Sequence, residues 1–337
     1  MRHSRQFSIY LALLMFLAMW ILYGWNYWNG DREGYELYYH TRDTLASWGG
    51  EIGYGYLNIV ASQSGLSYQG FQILISFITL ALVFRYIIKR TISPFFSFVM
   101  YAVCFFPLDF VLMRNFLAFA IFLQGMLILF EDKPYSKLKY SALILLAATI
   151  HQSSLMYIVF VFMPLNRVVP LRSFFLIFIL FISSYTLVRF SLPLPEGVAK
   201  HFDYYNTSLR SSFANVSVHL VSLLLIALAV FAERKSLCKI ECFSSRDKEL
   251  VFILNLNLFS LFFLVLYFES EIFVRLLRSI LFFSILHCVN SLFLLRRTYL
   301  FLATFILVFA TYLVFFFLVP VAGNSVIPLF NRNLIFN

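Results

Sequence analysis

Apolar runs of about 20 residues, the length that crosses a bilayer as a helix, recur along this chain with almost no charge inside them. The first two lie at 6–24 and 69–88. Among 337 residues, 61% are hydrophobic, 12% are charged and 43 are Phe. A soluble domain would run out of water-facing positions before hiding that much apolar surface. A membrane barrel would show alternating segments of roughly 10 residues instead of unbroken runs. The fold class is therefore all-α, a polytopic membrane helix bundle.

Eleven membrane helices follow from the runs: 6–24, 69–88, 94–108, 113–131, 140–150, 152–165, 172–190, 216–232, 250–268, 272–295 and 298–319. They form one integral membrane domain over 1–337, with outer loops at 25–68 and 191–215. The piece at 55–67 is too short and polar to cross and reads as an interfacial helix. The first run follows Arg2 and Arg5, exceeds a signal-peptide core in length and lacks a small-residue cleavage site, which predicts an uncleaved first helix. The net charge of +10 follows topology. With the N-terminus inside, 17 of the 26 Lys and Arg fall on cytoplasmic segments and 9 on outer ones, as the positive-inside rule requires. The same rule splits 140–165 into a short hairpin pair, since one continuous helix would put the basic 233–249 loop outside. The pair meets at His151-Gln152-Ser153-Ser154. The C-terminus is then external.

Ionisable groups in or beside membrane runs are costly and mark function. In this topology Asp31, Arg114, His151, Arg210, Arg275 and Arg278 all lie on or near the outer half. Arg275 and Arg278, three apart, share a helix face; Glu271 is placed to pair with Arg275. Guanidinium groups match phosphate oxygens with a planar fork, so cations and a carboxylate gathered above lipid-accessible helices suit a diphosphate carried on a polyprenyl lipid. Arg114, Arg210, Arg275 and Arg278 are the candidate diphosphate ligands, and Asp31 and His151 the candidate catalytic groups. Tyr35, Tyr38 and Tyr39 are candidates for stacking on sugar faces. Cys104, Cys238, Cys242 and Cys288 show no metal-site spacing. No P-loop, Gly-rich phosphate cradle, Ser-nucleophile elbow or H-E-x-x-H is present. Neither metal nor cofactor is expected, and no nucleic-acid partner.

These residues stand in motifs with a known likeness. Gly30-Asp31 with Tyr35, Tyr38 and Tyr39, then Glu51-Ile52-Gly53-Tyr54-Gly55, resembles the first outer loop of EpsG-type proteins of the Wzy polysaccharide polymerase group. Met113-Arg114-Asn115-Phe116-Leu117-Ala118, Ile150-His151-Gln152-Ser153-Ser154-Leu155 and Phe273-Val274-Arg275-Leu276 resemble later family motifs, in order along the chain. Ser154 departs from the usual alanine, and the C-terminal tail matches poorly. The resemblance implies a bundle related to C-type membrane glycosyltransferases in the bacterial inner membrane. It also implies polymerisation, at the outer face, of undecaprenyl-diphosphate-linked oligosaccharides into O-antigen, capsule or exopolysaccharide. Implied partners are those lipid-linked units, membrane lipids and a chain-length regulator. Under this reading the arginines stabilise the leaving diphosphate while Asp31 or His151 takes the acceptor proton, with Asp31 favoured. A flippase for the same lipid-linked unit and an O-antigen ligase are the alternatives; the charges gathered at one face argue against the flippase.

Overall fold

The computed structural model describes residues 2–41, 51–191, 209–237, 244–270, 273–294 and 327–336, with 302, 306, 307, 309 and 310 besides. The span expected at 298–319 and most of the 191–215 loop lie outside the described residues, as does Glu271. Among the described residues the chain is helical, apart from one antiparallel bridge between Asn26 and Asn333. It divides into two compact units, one of Met1–Ile158, Ile285–Leu294 and Tyr312–Asn337, the other of Val159–Ser284 and Leu295–Thr311.

In the first unit α1 (Arg2–Gly24) packs antiparallel on α4 (Tyr68–Arg90). Arg5 donates to the Ile88 carbonyl (2.8 Å) at one end and Trp20 to the Ile73 carbonyl (3.0 Å) toward the other. Two shorter helices lie between them in sequence, α2 (Arg32–His40) and α3 (Ile52–Gln63). The first was expected as loop; the second starts earlier than the expected interfacial piece. Gly65, at φ +78°, closes α3. The Ser67 hydroxyl then accepts from the Gly70 amide (3.1 Å) to cap α4.

The span expected at 94–108 is not one helix. α5 (Pro94–Cys104) stops and the single-turn α6 (Phe106–Asp109) restarts beyond it, because Pro107 has no amide to continue the ladder. Asp109, fully buried, accepts from the Tyr101 hydroxyl at 3.1 Å. α7 (Met113–Glu131) is the buried centre of the unit. Beyond left-handed Asp132 and Tyr135 the chain returns as α8 (Ser136–Ile150). α8 lies tight on α7: a Cβ on Gly125 would sit 3.0 Å from the Tyr140 ring.

At His151 the backbone turns extended (φ −148°, ψ 112°), and a 3₁₀ segment, Gln152–Phe162, follows. That segment folds back, since the Tyr140 hydroxyl donates to the Tyr157 carbonyl (2.7 Å) and Phe122 stacks on Tyr157 at 3.9 Å. The hairpin expected from the charge distribution is therefore present, with its corner at the expected histidine.

The second unit holds α9 (Leu171–Ser191), α10 (Leu209–Leu237), α11 (Ser244–Ser260) with its 3₁₀ continuation Leu261–Phe268, and the start of α12 (Val274–Leu294). Asn255 ties the 164–169 connection to α11, donating to the Pro164 and Arg167 carbonyls (2.7 and 2.9 Å) and accepting from the Val169 amide (3.0 Å). Buried His219 lies between the Tyr267 and Ser260 hydroxyls, 2.8 Å from each. Six helices among the described residues are long and apolar enough to cross a membrane; Pro94–Cys104, Gln152–Phe162 and Leu171–Ser183 are shorter apolar pieces.

The tight α7–α8 seam yields a prediction. Gly125→Leu should lower the melting temperature of the purified protein in detergent, at an overpacking cost of about 1–3 kcal/mol. An unchanged midpoint would show that the seam tolerates a side chain.

Candidate functional site

The close approach of α3 to the end of α8 creates the site. Gly53, in the first turn of α3, rests against Thr149; a Cβ there would collide with Thr149 Oγ1 and come 3.0 Å from its carbonyl oxygen. Only a residue without a side chain permits that approach. It lays Glu51, just before α3, over the break between α8 and the 3₁₀ segment. Glu51 Oε1 then lies 2.7 Å from His151 Nδ1 and accepts from the Gln152 amide at 3.1 Å. The other carboxylate oxygen, Oε2, pairs with Arg114 Nη1 from the first turn of α7. Arg114 Nε in turn donates to the Tyr35 hydroxyl of α2 (3.4 Å), and its guanidinium sits 5.4 Å from the Tyr35 ring centroid. Three segments of the first unit thus meet at one carboxylate, and α2 joins them through Arg114.

Burial on its own would push the Glu51 carboxyl upward. The His151 hydrogen bond, the Arg114 charge, the His151 charge and the Gln152 amide together outweigh it and hold the group below its ordinary value. The side chains of Glu51, His151 and Arg114 are 9%, 17% and 24% exposed, so the carboxylate is the floor and the two bases open outward. A carboxylate at Nδ1 places the imidazole proton there and leaves the Nε2 lone pair for chemistry. Among the described residues Nε2 meets no protein partner. Also among the described residues, no three His, Cys, Asp or Glu side chains gather as metal ligands.

Of the residues singled out from sequence, Arg114, His151 and Tyr35 come together here. Asp31 is exposed at the start of α2, one turn before Tyr35, whose amide donates to its carbonyl at 3.2 Å. The carboxylate that touches both Arg114 and His151 is Glu51. It was quoted above as part of a motif and given no role. Its signal was available: a lone acid two residues before a glycine that opens a helix.

The tyrosines differ from expectation. Tyr35 and Tyr39 are buried (6% and 2% exposed), with Tyr35 edge-on to Tyr54, and Tyr39 against Tyr68 and Phe71 while donating to the Leu66 carbonyl (2.8 Å). Their rings are filled by protein, and Tyr38 is the half-exposed one of the three. Arg275 and Arg278 belong to the second unit, in the first turns of α12; Arg278 is buried and Arg275 half-buried. Arg210 is the second residue of α10, and its side chain lies outside the described residues.

Residues 9–331, nearly the whole chain, match the EpsG family. The chain belongs to that family. Membership supports a Wzy-like polysaccharide polymerase function in general, and the several long apolar helices make this EpsG-family member a multi-pass membrane protein. No curated protein and no solved structure matches it.

Two predictions follow from the geometry. Gly53→Ala should lower the melting temperature by several degrees, and Thr149→Ala in the same chain should recover part of the loss, since it removes Oγ1, the closest atom, while Cβ and the carbonyl stay; no recovery would locate the clash elsewhere. The second concerns pH. A carboxyl with a depressed native pKa adds stability above its unfolded value and loses that contribution as pH falls through the native one. The melting-point gap between the wild type and Glu51→Gln should therefore be full at neutral pH and shrink below about pH 4. A gap independent of pH would contradict the ionised assignment.

Proposed function

We propose that this protein joins undecaprenyl-diphosphate-linked oligosaccharide repeat units into O-antigen, capsule or exopolysaccharide chains at the outer face of the bacterial inner membrane. In this reading the N-terminus is cytoplasmic, the C-terminus external, and a chain-length regulator is a partner. The observation that carries it is Glu51 held between His151 and Arg114, within a chain of the EpsG family.

The acceptor is a sugar hydroxyl of one lipid-linked unit, and the donor is the growing glycan on its lipid diphosphate. The hydroxyl oxygen attacks the anomeric carbon while its proton passes to His151 Nε2. The bond from that carbon to the diphosphate oxygen breaks, and its electron pair leaves with the diphosphate. Glu51 stabilises the imidazolium through Nδ1–H, the role of the acid in a base–orienter pair. General bases of this kind contribute roughly 10²–10⁴-fold. Arg114 meets the charge developing on the leaving group. A guanidinium has five N–H donors and can serve Glu51, Tyr35 and a phosphate oxygen together. Arg210, Arg275 and Arg278 remain the sequence's candidates for further diphosphate ligands. Asp31 is the second candidate base, and Tyr38 the candidate sugar platform.

The test is elongation of lipid-linked repeats by purified protein in vesicles, without nucleotide sugars. His151→Ala, Glu51→Gln and Arg114→Ala should insert normally and elongate at least about 100-fold more slowly, leaving single repeats. Asp31→Asn should stay near wild type if His151 is the base and fall with the others if it is not. Wild-type ladders from both Arg114→Ala and His151→Ala would overturn the reading.

A further inference from the structure

Asn26 and Asn333, both fully buried, join two segments far apart in sequence. Around their bridge the Tyr27 amide donates to the Arg332 carbonyl and the Leu334 amide to the Trp25 carbonyl, each at 2.9 Å. The Asn333 side chain donates to the Ile21 and Leu22 carbonyls (3.1 and 3.2 Å), near the open end of α1. The Asn26 side chain reciprocates, donating to the Pro328 and Arg332 carbonyls (2.9 and 3.0 Å) around α13 (Ile327–Asn331). Carbonyls in a last helical turn run short of backbone donors; Ile21 and Pro328 accept from the Trp25 and Arg332 amides, and the asparagine side chains add donors to them and to Leu22 and Arg332, so each asparagine caps the other's helix.

Asn26 also faces a second network. Its carbonyl accepts from Arg32 Nη1 and Gln72 Nε2, both at 2.7 Å. Arg32 Nη1 reaches Gln69 and Gln72 as well (3.0 and 3.1 Å), Nε bonds Glu36 (3.3 Å), and the guanidinium lies over the Tyr68 ring (5.0 Å to the centroid). Arg32 is the first residue of α2, the helix that presents Tyr35 to Arg114 and carries Asp31 at its start. The bridge residues Arg332–Leu334 lie beyond the stretch that matches the family.

We propose that the C-terminal segment is a latch for the site, with Asn333, Asn26 and Arg32 as positioning residues that hold α2, and so Tyr35, against Arg114. The latch acts on catalysis only if the polymerase reading above is right, but its mechanical part stands without it. The hydrogen bonds flank the pair rather than join it, which makes Asn26 and Asn333 a close, non-hydrogen-bonded antiparallel pair. That geometry lies within reach of a disulfide.

The experiment uses the full chain carrying Asn26→Cys and Asn333→Cys, with Cys104, Cys238, Cys242 and Cys288 replaced by serine. Hydrogen exchange and elongation are measured with the bridge oxidised and reduced. Oxidised protein should protect the 32–40 amides as the cysteine-free parent does. Reduced protein should exchange them at least about tenfold faster, and elongation kcat should fall by a similar factor with KM nearly unchanged. Equal exchange over 32–40 in the two states overturns the latch.

A separation in exchange from a wild-type protein that fails to lengthen lipid-linked repeats upholds the latch and sinks the polymerase reading. Should reduction loosen the whole chain, Arg32 decides: Arg32→Met must speed exchange over 32–40 alone, with Arg32→Lys recovering part of the protection. Wild-type exchange in Arg32→Met overturns the proposal.

Discussion

A carboxylate removed from water is expensive unless positive charge and hydrogen-bond donors replace the solvent. Glu51 meets that condition with Arg114, His151 and the Gln152 amide, and much of the first unit's arrangement follows. The donors come from two places in the sequence, both distant from Glu51, so satisfying the carboxylate forces the start of α3, the start of α7 and the corner after α8 into contact. Gly53 removes the steric obstacle to that meeting. The break at His151 supplies the Gln152 amide, which an uninterrupted helix would have spent on its own ladder. The same groups that neutralise the acid then orient an imidazole and a guanidinium outward.

A second constraint is the backbone. Where chain irregularities fall at or near membrane depth, their amides and carbonyls need protein partners, and asparagine side chains supply them repeatedly. Asn255 closes the 164–169 connection. Asn290 of α12 accepts from the Ile92 amide (2.9 Å) and donates to the Arg90 carbonyl (2.8 Å) at the link between α4 and α5. Asn26 and Asn333 do the same for the ends of α1 and α13. A primary amide carries both donor and acceptor without charge, which suits this task where water is scarce.

Features that depend on local composition were readable in advance. The helical class and long spans follow from run length, and the hairpin corner at His151 follows from where the basic residues must lie. The division of 94–108 at Pro107 was also written in the chain, but its apolar length masked it. The tyrosines show the limit: interface and core both favour aromatic rings, so nothing in the pattern of Tyr35, Tyr38 and Tyr39 distinguishes the half-exposed ring from the two buried ones. Glu51 shows it again: Gly53 two residues on sets it apart, but the first outer loop offers several acids, and only the approach of α3 to α8 decides which one meets the cations.

By itself, then, the sequence determined that the chain is helical and membrane-embedded, that it turns at a histidine, and that it carries Arg114 and His151 in EpsG-type motifs. Run length, charge bias and motif spacing are properties of neighbouring residues. Only the tertiary structure decided that Glu51 is the shared acid, that Tyr35 and Tyr39 are interior, and that the C-terminal segment closes on Asn26. Those outcomes depend on which helix ends approach closely enough to neutralise a buried charge or satisfy an open carbonyl, and that is a relation between segments distant in the chain.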